Sequence, residues 1–458
     1  MGHVLGGLLM RLQVVDDAVR FSCGSCTACC DQPWRTMIEA SKAQALDEHD
    51  FNAYPQLAGK EFYHKSKAQR NPRHGQPDTN RPEPLYPLAK GEGTRCLFLD
   101  SDGLCIIHKE LGPEAKPNMC RQFPFLSARN WVEDRVSVNF GCSSVQENAG
   151  QPLEEQVDEI ATVVAMSNRP ARPEASVFFD LHQKITQAEY TALLDRAMEL
   201  FEEGQSKDIW EAFAALCSML AEAREAGGGS TSGHGQAELA RGTRSQGSVG
   251  DAAPEVLSYA KPSSAPMPVR LLFAATLYPD TVPPDAVDGL GFFRRLTLIP
   301  KLMSLATLSG GYASRLLGRN VSINRVLAHE VEPAMADEAT ALLFRYFRSR
   351  IWQRTLVGTR LPIVAAVHQH IHDLNAILFF AHAEAAEQGV PQLTGEIIRQ
   401  SLTRVEFHLA NQARLYDHTM KGWLKARLCD LELAKESLRL MVLAKRESPI
   451  SAPEETVG

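Results

Sequence analysis

The chain has 458 residues, enough for two or three domains, so one small metal-binding module cannot account for all of it. Hydrophobic residues make up 44%, charged residues make up 22% and the net charge is −7, all ordinary values for a soluble globular protein. No excess of one charge sign indicates a nucleic acid or a membrane as a partner.

The longest apolar run near the start, residues 4–10, has no basic leader before it. It is also far shorter than the roughly 20 apolar residues that a membrane-spanning helix needs. We therefore expect a cytoplasmic protein. In a reducing compartment, clustered cysteines bind metal or take part in redox chemistry more often than they form structural disulfides.

The first 150 residues contain many turn formers and few long periodic segments. A short helix is predicted at Ser41–His49, with Ser41 as its cap. Short strands are predicted at Arg35–Ala40, Cys96–Leu99, Cys105–His108 and Val136–Phe140.

From Glu154 onward the pattern becomes helical. Thr186 and Glu189 have the spacing of a capping box, and Asp208 is the predicted cap of the following helix. Further long helices are predicted at Asp337–Leu356, Leu361–Glu387, Thr394–Arg414 and Tyr416–Ala444. The arginines of the first of these are predicted to point outward from an amphipathic helix.

These patterns predict a mainly α protein with a small, irregular α+β, cysteine-rich metal-binding module at the N-terminus. We expect this module at 1–150, a helical segment that packs on it at 151–225, a flexible Gly/Ser/Pro-rich linker at 226–268, an all-helical domain at 269–445 and a disordered tail at 446–458.

Cysteines are concentrated in the predicted module. The stretch "FSCGSCTACC" at 21–30 follows the pattern C-x-x-C-x-x-C-C, and eight of the ten cysteines precede residue 143. Zinc takes four sulfur or nitrogen ligands, and an iron–sulfur cluster usually takes three or four thiolates, so eight thiols suit two centres better than one. Merely buried thiols or a disulfide framework are the alternatives.

The spacing of the motif lets Cys23, Cys26 and Cys29 face one centre, whereas Cys30 must point elsewhere or bend the turn. Downstream, "CLFLDSDGLCIIH" predicts a hairpin that returns Cys105 towards Cys96, with His108 as a further candidate. The predicted metal ligands are Cys23, Cys26, Cys29, Cys30, Cys96, Cys105, His108, Cys120 and Cys142. Cys217 and Cys429 are predicted to be structural.

These motifs resemble the YkgJ-type CxxCxxCC cysteine cluster family, described as zinc- or iron-chelating. The resemblance rests on "FSCGSCTACC", "CLFLDSDGLCIIH" and "GPEAKPNMCRQFPF", followed by Cys142, and covers about 21–144. The plan of the whole chain also resembles flagellin lysine N-methylases. That second resemblance implies transfer of a methyl group from S-adenosylmethionine to lysines of a protein substrate such as flagellin.

Two functional hypotheses follow. In the first, the chain is a metal-dependent protein-lysine methylase, with zinc or an iron–sulfur cluster and S-adenosylmethionine as cofactors and with unidentified catalytic residues. In the second, zinc folds a non-catalytic module and the helical domain binds a protein partner. His368 and His372, four apart on one helix face, are interpreted as polar face residues rather than a second metal site.

Overall fold

The protein is described here by a computed structural model. It describes residues 2–5, 8–15, 19–32, 35–65, 84–131, 133–165, 176–202, 206, 208–228, 264–281, 299–329, 335–355, 361–409 and 426–441. Most of the predicted linker at 226–268 and all of the predicted tail at 446–458 lie outside these residues. The chain divides into two compact units, Met1–Arg172 and Pro173–Gly458.

Unit 1 contains eight short strands among its described residues. They are β1 (Gly2–Leu5), β2 (Leu8–Val14), β3 (Arg20–Phe21), β4 (Met37–Glu39), β5 (Leu85–Pro87), β6 (Phe125–Arg129), β7 (Asp134–Val138) and β8 (Gln151–Pro152). The order β1-β2-β7-β6 forms one sheet, in which β2 and β7 are parallel and the other neighbours are antiparallel. The pairs β3-β8 and β4-β5 are separate antiparallel ladders.

The described part of unit 1 also contains five short α-helices: α1 (Ala40–Glu48), α2 (Ile106–Leu111), α3 (Asn118–Gln122), α4 (Ser143–Gln146) and α5 (Val157–Ala165). A compact core joins α1, α2 and the loops between them through Leu46, Phe51, Phe98, Ile106 and their neighbours. Cys96 and Cys105 pack against the edge of this core. The core therefore holds two of the predicted ligand segments in place.

Unit 2 is mainly helical. Its helices are α6 (Gln187–Leu200), α7 (Ile209–Gly228), α8 (Met267–Leu277), α9 (Ile299–Thr307), α10 (Ile323–Leu327), α11 (Asp337–Arg350), α12 (Ile363–Gln388), α13 (Gly395–His408) and α14 (Leu431–Leu438). A π-helical turn, Ile351–Thr355, follows α11. Two antiparallel hairpins also occur, β9 (Ser176–Phe178) with β10 (Lys184–Thr186) and β11 (Gly311–Ser314) with β12 (Arg319–Ser322).

Helix α12 is the centre of unit 2, because nearly all of its residues are buried. Helices α8, α10, α13 and α14 pack against it, and α7 packs against α14. The predicted capping box at the start of α6 is confirmed: the Glu189 backbone N–H donates to Thr186 Oγ1 at 3.4 Å, and the Thr186 N–H donates to Glu189 Oε2 at 2.7 Å. Asp208 accepts from the Glu211 N–H at 2.9 Å, as predicted for a cap.

The prediction of a strand at Cys105–His108 is wrong, since the chain forms α2 there. Successive side chains of a strand point to opposite faces. Ile106 and Ile107 are both buried in the same core, with Leu111 packed beside them, and only the helical spacing brings all three together. Ser41 is likewise not a cap, because α1 begins one residue earlier at the end of β4, where the Ala40 N–H donates to Pro84 O at 3.0 Å.

Two predictions for unit 2 also need correction. Within 426–441 the predicted helix Tyr416–Ala444 is interrupted before Asp430, which caps α14 by accepting from the Leu433 N–H at 3.1 Å. Arg350 does not point outward, as it is only 2% exposed. Its guanidinium donates to Glu406 of α13 and lies 5.4 Å from the centre of the Tyr346 ring.

No helix among the described residues is both long and apolar enough to cross a membrane.

Candidate metal centre

The C-x-x-C-x-x-C-C segment is an irregular loop with an unusual backbone. Ser25 (φ 51°) and Thr27 (φ 64°) adopt left-handed conformations on either side of Cys26. This region is disfavoured for residues with a Cβ, and especially for a β-branched one such as Thr27. Strain of this kind persists where the surroundings enforce it, which is typical of functional sites.

Contacts from distant parts of unit 1 hold this loop. Cys96 N–H donates to Cys30 O at 2.8 Å, which ties the end of the motif to the segment that carries Cys96. The Gly24 N–H donates to Ser144 Oγ at 3.3 Å, which ties the start of the motif to α4. A Cβ at Gly103 would lie 3.1 Å from Thr27 Cγ2, so the turn before Cys105 also packs on the loop.

The first group of thiols, the inner group, consists of Cys30, Cys96, Cys105 and Cys120. All four residues are partly buried. Burial is the main reason that the pKa of Cys96 rises to about 11 and that the pKa values of Cys105 and Cys120 also rise. The thiolates of this group raise one another's pKa as well, as expected for like charges brought close together.

Cys29 lies beside the inner group. Its sulfur is 3.9 Å from the sulfur of Cys30, a hydrogen-bonding distance for thiols. This hydrogen bond is the main cause that lowers the pKa of Cys30 to about 7, and the same contact, with burial, raises the pKa of Cys29 far above its usual value. Of these two thiols, Cys30 therefore loses its proton more easily.

Three cations affect the pKa values of the inner group. After the hydrogen bond from Cys29, the charges of Lys116, Lys90 and Arg95 also lower the pKa of Cys30. Lys116 acts in the same direction on Cys105 and Cys120, and Lys90 does so on Cys96, although burial dominates for all three thiols. The surroundings thus compensate negative charge on sulfur.

The second group of thiols, the outer group, consists of Cys23, Cys26 and Cys142. Cys23 and Cys26 are exposed, whereas Cys142 is buried. Burial raises the pKa of Cys142 most, and the charges of Cys26 and Cys23 raise it further. Ser143 Oγ donates to Cys26 Sγ at 3.0 Å.

Two of the cysteines also begin helices. Cys105 is the N-cap of α2 and Cys142 is the N-cap of α4, both with extended backbone. Backbone N–H groups of Ile107 and His108 lower the pKa of Cys105, and those of Val145 and Ser144 do so for Cys142, each against the larger effect of burial. Unpaired N–H groups at a helix start stabilise a thiolate.

The other sequence candidates take different positions. His108 is exposed, and its backbone N–H hydrogen-bonds Cys105; its role as a ligand stays a prediction. Cys217 and Cys429 lie in unit 2, where both are buried. His368 and His372 are stacked 5.0 Å apart in the core of unit 2, and both hydrogen-bond Ser437 of α14.

Sequence reasoning missed the cations and Ser143. A signal existed, since Arg95 directly precedes Cys96, Lys116 lies shortly before Cys120 and Ser143 directly follows Cys142. A cation or hydroxyl beside a metal-binding cysteine is a reason to expect it to support the thiolate.

As they stand, no three Cys, His, Asp or Glu side chains in the described part of the chain are close enough together to coordinate one ion. The donor chemistry nevertheless fits zinc and iron, because thiolates are the preferred ligands of structural zinc and of iron–sulfur clusters. Four thiolates around a divalent ion carry a net charge of about −2, which the cations beside the inner group offset in part.

The comparison with known families agrees with this chemistry. Residues 22–142 match the model of the CxxCxxCC family, described as a zinc- or iron-chelating domain, and the match contains the seven cysteines of the two groups and Cys29. No curated protein and no solved structure shows a significant match to the chain.

Proposed function

We propose that the CxxCxxCC domain at 22–142 binds zinc or iron through Cys30, Cys96, Cys105 and Cys120, and that the bound metal stabilises the fold of unit 1. The observation that carries this proposal is the convergence of four partly buried thiols from separate segments, with Lys90, Arg95 and Lys116 beside them.

A structural role suits the local architecture. The segments that carry the inner thiols are a turn, an isolated bridge, a helix start and a five-residue helix, none of which is stable alone. A metal bound to thiolates contributes about 10 to 16 kcal/mol of folding free energy in small modules. When bound, the ion supplies cross-links between these segments, and the chain's own N–H groups and cations hold its ligands as thiolates.

Replacement of Cys105 by Ser tests the proposal. Serine is a good N-cap, so Cys105→Ser preserves the start of α2 and removes only the thiolate. We expect the variant to lose zinc or iron, measured by elemental mass spectrometry, and to lower the unfolding temperature of unit 1.

Cys429→Ser is the matched control, because Cys429 is a buried thiol of unit 2 outside both groups. We expect it to keep the metal content of the parent. Equal metal content in Cys105→Ser and the parent would contradict the ligand assignment.

Methyl transfer to protein lysine stays a prediction that rests on the plan of the chain, as does the non-catalytic alternative in which the helical unit binds a protein. The two are separated by incubating metal-loaded protein with S-adenosylmethionine and flagellin. Mass spectrometry of the flagellin should show methylated lysines if the methylase hypothesis holds, and an unchanged mass would favour the non-catalytic one.

A further inference from the structure

We infer that the outer face of α8 and α9 in unit 2 binds an amphipathic helix of another protein, one whose apolar stripe is bordered by acidic residues. Met267, Leu271 and Met303 define this surface, which we call the α8–α9 face. The inference goes beyond metal binding by the CxxCxxCC domain, because the face belongs to unit 2 and the cysteines of that domain belong to unit 1.

Helix α8 is apolar on its outer side as well as on its inner side. Leu272 and Phe273 are buried on the inner side. Met267 is 45% exposed, and Leu271, one turn later, is 36% exposed. Arg270 is the one charged residue of this helix. Because a helix that is apolar all round is normally buried on every side, the composition of α8 indicates a further contact for its outer side.

Helix α9 adds a third exposed apolar residue. It packs against α8, and its Met303 is 50% exposed. Three of the seven large apolar residues that are exposed in the described part of the chain thus lie on two neighbouring helices. Scattered exposed apolar residues are normal, whereas a group of them on neighbouring elements marks an interaction site. Methionine side chains are unbranched and adapt to different partners, which suits a surface that binds a helix.

Other helices of unit 2 have charged residues on their outer side. In α6, the exposed residues include Asp195, Arg196 and Glu199. Glu396 in the first turn of α13 is exposed as well. The apolar outer side of α8 is therefore a particular property of this helix and not a general property of the unit.

The charge of the α8–α9 face favours an acidic partner. Besides the half-buried Arg270 of α8, the sequence of α9 contains Lys301, and neither helix contains an acidic residue. Helix α14, which also packs on α8, pairs each of its glutamates with a cation, in the ion pairs Glu432–Lys435 and Glu436–Arg439. The net charge of α8 and α9 is therefore positive, and α14 does not offset it.

This charge separates the candidates for the partner. A symmetric dimer of this chain would bring two positive faces together, and like charges across an interface cost binding free energy. A partner helix with Asp or Glu beside its apolar stripe instead places carboxylates opposite Arg270. Amphipathic helices bind apolar surfaces through residues spaced i, i+3, i+4 and i+7. We therefore assign the face to a helix of this kind.

Two synthetic peptides test the inference on the full chain. Both are about 18 residues long, enough for a helix to form in water, and both have the same leucine stripe. One has glutamate beside the stripe, the other has lysine there, and each has a fluorescent label for anisotropy measurements. We expect saturable binding of the glutamate peptide, and binding of the lysine peptide that is weaker by about tenfold or more, because its charge repels the face.

Leu271→Glu places a negative charge in the apolar face and is expected to weaken binding of the glutamate peptide by about tenfold or more. Leu181→Glu is the matched control, since Leu181 lies between β9 and β10 and is 38% exposed, close to the exposure of Leu271. It should bind the peptide as the parent does. Met303→Glu is a second variant of the face, and the unfolding temperature of each variant shows that it is folded.

Arg270→Gln tests the charge separately. We expect this variant to bind both peptides with more similar affinities than the parent does. An unchanged preference for the glutamate peptide in Arg270→Gln, or tighter binding of the lysine peptide by the parent, would overturn the assignment of an acidic partner.

Three further results would overturn the inference as a whole. The first is the absence of saturable binding of either peptide, or equal binding by Leu271→Glu and Leu181→Glu. The second is a parent dimer in light scattering that Leu271→Glu dissociates, which would assign the face to a second copy of the chain. The third is sedimentation with vesicles of phosphatidylglycerol and phosphatidylcholine that Leu271→Glu alone loses, which would assign it to a membrane. The metal content of the same samples tests the proposed function independently.

Discussion

At the scale of single residues, Gly150 and Ser22 show how tightly unit 1 holds the start of the cysteine motif. Gly150 has a left-handed backbone (φ 105°), and the Ser22 N–H donates to Ala149 O at 3.0 Å, one residue before Cys23. A Cβ at Gly150 would collide with the backbone nitrogen and the side chain of Ser22. Only glycine therefore permits the β3-β8 pairing in this form.

Gly150→Ala is expected to destabilise unit 1, because the added Cβ collides with Ser22 at the start of the cysteine motif. Gly93→Ala is the matched control, since Gly93 is also left-handed (φ 61°) but a Cβ there would meet nothing within 4 Å. We expect the control to cost about 1 to 2 kcal/mol for backbone strain and Gly150→Ala to cost about 1 to 3 kcal/mol more for the collision. Urea unfolding measures both, and equal losses would show that Ser22 moves aside freely.

A buried histidine predicts how unit 2 responds to acid. His368 is fully buried, where burial lowers its pKa from the ordinary 6.5 to about 4. Its neighbours on α12 and α14 are His372 and Ser437, and Asp430 lies near enough to act against the shift. Above pH 6.5 the ring is neutral in both the folded and the unfolded chain, so the full stability is present there.

As the pH falls from 6.5 to 4, His368 takes up a proton in the unfolded chain but stays neutral in the folded chain. Stability is therefore lost over this range. The difference between the two pKa values corresponds to a loss of about 3 kcal/mol in the free energy of unfolding. We expect His368→Gln to flatten this part of the pH dependence, measured by urea unfolding of unit 2, whereas His182→Gln at an exposed position should leave it unchanged. An identical pH dependence in all three proteins would contradict this account.

At the scale of secondary-structure elements, α6 is the clearest match between sequence and structure. Thr186 and Glu189 form the reciprocal hydrogen bonds that their spacing predicts. Thr186→Ala is expected to cost about 1 kcal/mol, because the first turn of α6 loses its cap. Thr191→Ala is the control, since the Thr191 hydroxyl donates to Gln187 O within the helix and caps nothing.

Thermal unfolding of unit 2 measures this pair of variants. A loss in Thr191→Ala as large as that in Thr186→Ala would assign the effect to helix propensity and not to the cap.

The sequence predicts an element correctly where the signal lies within a few residues, and incorrectly where contacts between distant residues determine the structure. The capping box and the Asp208 cap depend on residues three apart, so the pattern alone contains them. By contrast, α2 forms because Ile106 and Ile107 both enter a core supplied by α1 and the loop around Phe98, which a local pattern does not reveal. The burial of Arg350 likewise depends on Glu406, distant in sequence.

The sequence predicts which thiols belong to the candidate site, but not which thiols lie next to one another. The motif at 21–30 and the downstream cysteines identified the domain, which the family match at 22–142 confirms. Spacing placed Cys29 with Cys23 and Cys26, whereas in the structure its closest thiol is Cys30. Strain at Ser25 and Thr27 and the hydrogen bond from Cys96 to Cys30 decide the course of this loop, and neither is visible in sequence.

At the scale of the whole molecule, the chain is two compact units, and all the cysteines of the motif belong to the first. The helices on either side of the predicted linker, α7 and α8, both belong to unit 2. Any independence of the cysteine domain must therefore arise at the boundary after Arg172 and not at the linker.

Metal removal is accordingly expected to act on one unit alone. Dialysis against a strong chelator should lower the unfolding temperature of unit 1, because its short elements lose their cross-links, while unit 2 keeps its buried helical core. Differential scanning calorimetry of the full chain with and without metal measures this. An equal shift in the temperature of every unfolding transition, or no shift in any of them, would contradict the proposal that the metal stabilises unit 1.

The most direct test of the central claim is X-ray absorption spectroscopy at the zinc or iron edge on the purified full-length chain. We predict a first shell dominated by sulfur at about 2.3 Å, the distance of metal–thiolate bonds. That shell should lose sulfur in Cys105→Ser and stay unchanged in Cys429→Ser. A shell of oxygen and nitrogen only, or protein that binds neither metal, would contradict the claim that these cysteines form a metal centre.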